Sequence, residues 1–532
     1  MNISHQLNLN RIVIGLALIA GGLSSSGLQA NTTQEAQKLT FAVVDTNQSE
    51  CLGVNDSLAT CPAPGDTGYG QDSQYKGFQP SYGNNGNGTV TDNNTRLMWT
   101  RSIDINGDGK ISVADKMSYD EAAVYAKTLA LAGHTDWRVP TIKELYSLIL
   151  FDGQDPSGLN GVKGDVAIMP FIDHRYFGFN SGDTKSGERL IDAQYLSSTK
   201  YVSTTMRGDE TVFGVNFIDG RIKGYGMKSP RGNEAKKFYV LFVRGNTDYG
   251  INDFADNQNG SITDKATGLI WQKDDSQMAM NWPSALSYCE NLSLAGTTNW
   301  RLPNAKELES IVDYSRSPET SNSASINPLF KTTSIVNEAG KLDYAYYWTG
   351  TTHKNLRNSK NAAYIAFGRS LGYMGGNWLD VHGAGSQRSD PKVSTGQDYS
   401  KGHGPQGDSV RVNNYVRCVT DSHTAFEQNP QTTVRDSKIY TLTGSESTGE
   451  KALGKMMKGK SDLPGMGMDS RRPGSGNSLL SMMDRNGDGK LSRDEVKGPL
   501  ARDFDRLDKN RDGYLDASEI PEPPGGGKGR RK

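Results

Sequence analysis

The 532-residue chain is poor in cysteine, with four, and it lacks an excess of either charge: 59 basic residues nearly cancel 60 acidic ones. With a net charge of −1 and no strongly acidic or basic block in its body, it offers no electrostatic case for nucleic acid as a partner. There is no H-E-x-x-H zinc motif and no phosphate-cradling glycine loop, which removes two common enzyme classes. Hydrophobic residues are only 35% of the chain while glycine numbers 61, a composition that suits a loop-rich soluble protein. No apolar stretch is long enough to cross a bilayer as an ordinary helix.

What is present begins with an export signature. Arg11 precedes an apolar run over residues 12–22, and small residues lead to a cut expected after Ala30, so residues 1–30 read as a signal peptide. No cysteine sits at the cut, which argues against a lipid anchor; retention as an interfacial anchor is the alternative. The expected location is periplasmic, cell-surface or secreted, with no transmembrane segment in the mature chain. Export permits disulfides. Cys51 and Cys61 lie in a polar, Gly/Pro-rich stretch within a loop-rich segment, 31–86, and can clip a short loop.

The length allows three or four domains. Two of them are versions of one text. NGTVTDNNTRLMWTR at Asn87 returns as NGSITDKATGLIWQK at Asn259; LAGHTDWRVPTIKEL at Leu131 returns as LAGTTNWRLPNAKEL at Leu294. Each repeat closes on a strand-like stretch, KFYVLFVRG or NNYVRCVTD. The repeats are placed at 87–245 and 246–421. Within each, the pattern predicts a hairpin (Val90–Asp92 with Leu97–Trp99 in the first), a helix over 119–131 or 283–294, a second short helix containing Lys-Glu-Leu, and later strands at 211–217 and 362–367. Pro283 suits the first turn of its helix. This is an α+β pattern.

Alignment of the repeats sets Cys289 opposite Ala126 and Cys418 opposite Phe242. One repeat has both cysteines and the other neither, as expected of a bonded pair, so a Cys289–Cys418 bridge is predicted. Trp99, Trp271, Trp137 and Trp300 recur at matching places, which favours core packing over ligand contact. Arg138 and Arg301 follow two of them and are expected to bond backbone carbonyls.

The GTVTDNNTRLMW opening, the DWRVPT/NWRLPN phrase and the YVRCV ending resemble the Lcl C-terminal domain family, also called DUF1566. The resemblance spans both repeats and implies a fold similar to C-type-lectin-like and formylglycine-generating-enzyme-like domains. Such domains occur in exported bacterial proteins, including collagen-like adhesins associated with glycosaminoglycan binding, so a surface adhesion or glycan-binding role is implied. This chain has no collagen-like run and none of the EPN, QPD or WND motifs with which C-type lectins hold sugar through calcium. The implied ligand is therefore a glycan or another cell-envelope component, with no site assigned.

The most specific chemistry lies in residues 476–521, read as a small α-helical EF-hand pair that follows a flexible linker (422–475) and precedes a basic disordered tail (522–532). DRNGDGKLSRDE at 484–495 and DKNRDGYLDASE at 508–519 both match D-x-[DN]-x-[DN]-G-x₅-E. Calcium is a hard cation that takes six to eight oxygens. The first loop offers Asp484, Asn486, Asp488, the carbonyl of Lys490, Ser492 (through water) and Glu495. The second offers Asp508, Asn510, Asp512, the carbonyl of Tyr514, Asp516 and Glu519. Gly489 and Gly513 take the sharp sixth position, and Leu491 and Leu515 are placed to join the loops by a short β-bridge. Leu500, Phe504 and Leu507 give an apolar face to the helix entering the second loop. A third match sits inside the first repeat at 104–115, with Asp104, Asn106, Asp108, the carbonyl of Lys110 and Asp115, where the last position is Asp instead of Glu. Calcium is the only cofactor expected.

Two weaker signals remain. His353, His382 and His403 with Asp390 and Asp408 fit no zinc spacing. Gly368–Gly372 (GRSLG) matches a hydrolase elbow, but no helical pattern follows it and the first repeat has Ile222 opposite Ser370. The favoured reading is a non-enzymatic surface or periplasmic binding protein. The alternatives are an envelope-assembly component docking through its EF-hand segment and, third, a formylglycine-generating-enzyme-like enzyme.

Overall fold

A computed structural model of the chain describes residues 39–54, 57–58, 60–159, 162–229, 234–421, 425–426, 434–442, 490–496, 504–516 and 519. The expected signal peptide, most of the linker and the basic tail lie outside them. The chain divides into two compact units, 1–458 and 459–532. Among the described residues no helix is long and apolar enough to cross a membrane. Strands dominate and helices are few and short, so the α+β expectation holds with β in the majority.

Each repeat in the first unit is built on a four-stranded antiparallel sheet. In the first its order is Tyr82–Asn84, Thr89–Asp92, Leu97–Thr100 and Val243–Gly245. In the second it is Phe254–Asp256, Ser261–Asp264, Ile270–Gln272 and Val419–Thr420. Trp99 faces Val243 and Trp271 faces Val419, so the closing strands dock in the same register. That register carries residues 242 and 418 to equivalent places. There the second repeat has the Cys289–Cys418 disulfide and the first has buried Ala126 and Phe242. Cys51 and Cys61 are also joined.

The helices are α1 (Tyr119–Thr128), α2 (Ile142–Tyr146), α3 (Trp282–Glu290) and α4 (Ala305–Ser310). Helices α1 and α3 stop three or four residues earlier than their periodicity suggests. Ala132–Gly133 and Ala295–Gly296 both take positive φ, the requirement of a tight hairpin turn, and the chain leaves the helix to enter it.

The repeated phrase W-R-x-P-[TN]-x-K-E-L now has a physical reading. The Trp is core: Trp137 and Trp300 are 4% and 1% exposed. Thr141 and Asn304 cap α2 and α4, with Glu144 and Glu307 returning to the cap N–H as capping boxes. The sequence predicts backbone carbonyls as partners of Arg138 and Arg301; the structure gives both guanidinium groups carboxylate partners. Each forms a two-pronged pair with the capping-box Glu six residues on. A carboxylate already held by the helix N-terminus is the stronger acceptor, and the short helix aims it back at the Arg.

The lysine of the phrase crosses between repeats. Lys143 Nζ donates to Ser310 O at 2.7 Å, and Lys306 Nζ donates to Ser147 O at 2.8 Å. Since Ser147 and Ser310 are equivalent, the contact is reciprocal, as at a two-fold interface. Burial lowers the pKa of both lysines, that of Lys306 to about 7.

The repeats also share a six-stranded sheet. Its order is Tyr346–His353, Asn361–Ala366, Gln387–Pro391, Arg221–Gly226, Asp209–Asn216 and Gln194–Thr205, three strands from each repeat. The halves meet where Gln387 pairs with Ile222. In the first repeat the central strand is the one that follows Gly220. In the second that stretch instead forms a separate hairpin, Leu371–Met374 with Asn377–Asp380, and a later strand takes the central place.

The flanking segments bind both repeats. Gln48 bonds Phe151 O and Thr352 O, and Lys306 reaches Asp45 O. The flexible linker expected over 422–475 is corrected in part: Lys438–Leu442 pairs with Gly164–Ile168 along its whole length, and the buried Arg435 ion-pairs with Asp152. Its alternating pattern was readable as a strand, but a partner 270 residues away was not.

In the second unit Leu491–Ser492 pairs with Tyr514–Leu515, the bridge expected at the eighth loop position. A short helix, α5 (Phe504–Leu507), enters the second loop, and Leu491, Val496, Phe504 and Leu515 form a small core.

Candidate calcium loops

In loop 508–519 the side chains fold back onto the loop's own N–H groups. Asp508 accepts from Asp512 N and Gly513 N at 3.2 and 3.0 Å, Asn510 from Asp512 N, and Asp512 from Tyr514 N. Glu519, 6% exposed, accepts from Lys509 N, Asn510 N and Asp516 N. Numbered from the first Asp, the last carboxylate therefore holds the N–H groups of positions 2, 3 and 9. Positions 4 and 6, Arg511 and Gly513, have positive φ.

Loop 104–115 repeats this register at its last position and differs at its first, where Asp104 holds position 4 in place of position 5. Asp115 accepts from Ile105 N, Asn106 N and Ser112 N, again positions 2, 3 and 9. Asp104 accepts from Gly107 N and Gly109 N, Asn106 from Asp108 N, and Asp108 from Lys110 N. Gly107 and Gly109, positions 4 and 6, again have positive φ. The shorter Asp at position 12 reaches the same three donors as Glu519 because the loop tightens into a 3-10 turn, Val113–Asp115, behind it.

In loop 484–495, Asp484, Asn486 and Asp488 lie outside the described residues. Glu495 is 8% exposed and accepts from Ser492 N and Ser492 Oγ, so position 12 again holds position 9. Lys490 Nζ lies 2.9 Å from Asp512 Oδ2 and is the first cause of that carboxyl's lowered pKa.

These donor sets are all oxygen, which fits a hard divalent cation. Each carboxylate oxygen that accepts one N–H retains a further lone pair for a metal. Among the described residues no three His, Cys, Asp or Glu side chains already converge as a metal site.

The other sequence signals resolve into scaffold. Trp99, Trp137, Trp271 and Trp300 are buried. His353 is buried against Phe171 and bonded to Asp219 O, His382 is bonded to Asp408, and His403 pairs with the Tyr399 ring. Ser370 is buried ahead of a strand, not a helix. Sequence reasoning missed the Lys143/Lys306 crossing; its signal was the lysine shared by both repeats at the same place in a short helix.

A two-repeat α+β unit followed by paired acidic loops defines a modular calcium-loop protein. The Lcl C-terminal domain model matches residues 88–244 and 260–382, and the chain belongs to that family. The EF-hand model matches 477–498 and 501–520, indicating calcium binding by the C-terminal pair. No curated protein and no solved structure matches the chain.

Proposed function

We propose that this is an exported calcium-binding protein whose Lcl repeats present a binding surface for glycans or other envelope components. Calcium orders the C-terminal loops and also the loop 104–115 of the first repeat. One observation carries the extension to that loop: its last carboxylate holds the N–H groups of positions 2, 3 and 9, as in loop 508–519, and its first Asp accepts from position 6 in both. Family membership and the two disulfides support a surface or secreted setting. A C-type-lectin-like arrangement of each repeat belongs to this reading. A non-catalytic role is favoured because formylglycine-generating chemistry needs a reactive cysteine pair, and all four cysteines here are in disulfides.

Calorimetric titration of the full chain with calcium tests the metal part. Of the two C-terminal loops, 508–519 is the tighter, because Asp516 adds a carboxylate. Glu519→Gln removes that isotherm, and Asp104→Asn removes a separate one. An unchanged titration in either variant refutes the assignment of that loop. A glycan array with and without calcium tests the binding part; absence of any hit, alongside capture of one defined envelope protein, favours the assembly role.

A further inference from the structure

Six of the seven tryptophans are buried: Trp99, Trp137, Trp271, Trp282, Trp300 and Trp348 are all at or below 4% exposure. Trp378 is the exception. It lies half-buried on the hairpin that the second repeat forms where the described residues of the first form a strand of the shared sheet. Its cross-strand partner is Tyr373, also half-buried, with ring centroids 5.3 Å apart and planes at 63°. Among the described residues neither the Trp378 indole N–H nor the Tyr373 hydroxyl has a hydrogen-bond partner.

The hairpin is held on both sides. Tyr373 N donates to Gly407 O at 2.8 Å, and Ser409 N donates to Leu371 O. Asp380, at the far end, accepts from Gly383 N and from the Tyr201 hydroxyl of the first repeat. Its turn, Gly375-Gly376-Asn377, is exposed, with both glycines at positive φ. The aromatic corner is thus preformed, which lowers the ordering cost of any ligand it meets.

Resting on the binding role proposed above, we infer that Tyr373 and Trp378 form a saccharide-stacking site for an uncharged, β-linked sugar chain. Sugars with equatorial hydroxyls present flat C–H faces that lie against aromatic rings without needing a deep pocket. Two tilted rings take two faces that are not coplanar, as successive rings of a glycan are not. The free indole N–H, the Tyr hydroxyl and Asn377 then meet the hydroxyl rim. Aromatic groups with an apolar face and a polar edge suit such half-wet contacts.

The test is titration of the full calcium-loaded chain with chitohexaose and cellohexaose, beside a heparin hexasaccharide, read by calorimetry and intrinsic fluorescence. With six tryptophans buried, Trp378 dominates any ligand-induced spectral shift. The expected result is binding of at least one uncharged hexasaccharide with a blue shift. Trp378→Ala weakens it by about fivefold or more, and Trp378→Phe restores part of the loss. Thermal melts of each variant separate binding from folding: a lowered melting point with unchanged affinity makes the pair a hairpin brace and overturns the inference. So does affinity in Trp378→Ala equal to wild type, or binding of heparin alone; in both cases the wider glycan-binding reading survives. Binding of none of the three probes overturns the inference, and the array result then decides the wider reading.

Discussion

The two repeats solve the same packing problem by different means. Where the second ties its helix to the closing strand with Cys289–Cys418, the first packs Ala126 beneath Phe242, whose ring lies 5.3 Å from Tyr125. Where the second buries Arg301 at 5% exposure between Glu307 and Asp421, the first leaves Arg138 at 30% with Glu144 alone. The first repeat carries the calcium-type loop and the second the separate hairpin. One architecture thus tolerates a covalent or an apolar brace at the same joint.

That contrast is sharpest at the arginines. Arg301→Ala removes a buried cation from between two buried carboxylates and costs roughly 3–5 kcal/mol, against roughly 1–2 for Arg138→Ala, whose side chain is 30% exposed and faces one carboxylate. Denaturant unfolding of the two variants measures the difference; equal losses would break the comparison.

Next comes the disulfide. Replacing Cys289 by Ala and Cys418 by Phe copies the first repeat's solution into the second. If the sites are as equivalent as their register implies, this double variant recovers part of the roughly 2–4 kcal/mol lost by Cys289→Ser with Cys418→Ser. No recovery would mean the cavities differ in shape.

The second repeat also carries acid-sensitive histidines. Burial, then Arg221, lowers the His353 pKa to about 4, while Asp155 and Asp219 pull the other way. The unfolded chain binds that proton near the ordinary value of 6.5, so the stability is full above about pH 6.5 and is lost as pH falls toward 4. His353→Phe, which retains the stack on Phe171, reduces the loss over that window by roughly 2–3 kcal/mol. Parallel slopes for variant and wild type would remove His353 from the account. His382, also lowered to about 4, acts in the same direction.

The smallest effect concerns the first repeat's own specialisation. Asp115→Glu restores a bidentate reach at position 12 and tightens calcium there by about 1 kcal/mol. Calorimetry showing weaker binding would mean the tightened 3-10 turn cannot admit the longer side chain.

Features set by short-range pattern or by repetition were legible in the amino-acid order. The duplicated text, the capping residues, the tryptophans as core and the acidic loops depend on spacing along the chain. The Cys289–Cys418 pairing depended on comparing one repeat with the other, which made a long-range contact visible. Other features depend on where distant segments come to rest. Arg138 and Arg301 gain carboxylate partners because a helix N-terminus aims Glu144 and Glu307 at them. Lys143 and Lys306 cross because the repeats meet about a local two-fold. Among the described residues, Lys438–Leu442 and Gly164–Ile168 each find their strand partner only in the other, far apart in the chain. Six tryptophans are alike in sequence to the seventh; only tertiary packing, which fills the core before it reaches a separate hairpin, left Trp378 at the surface.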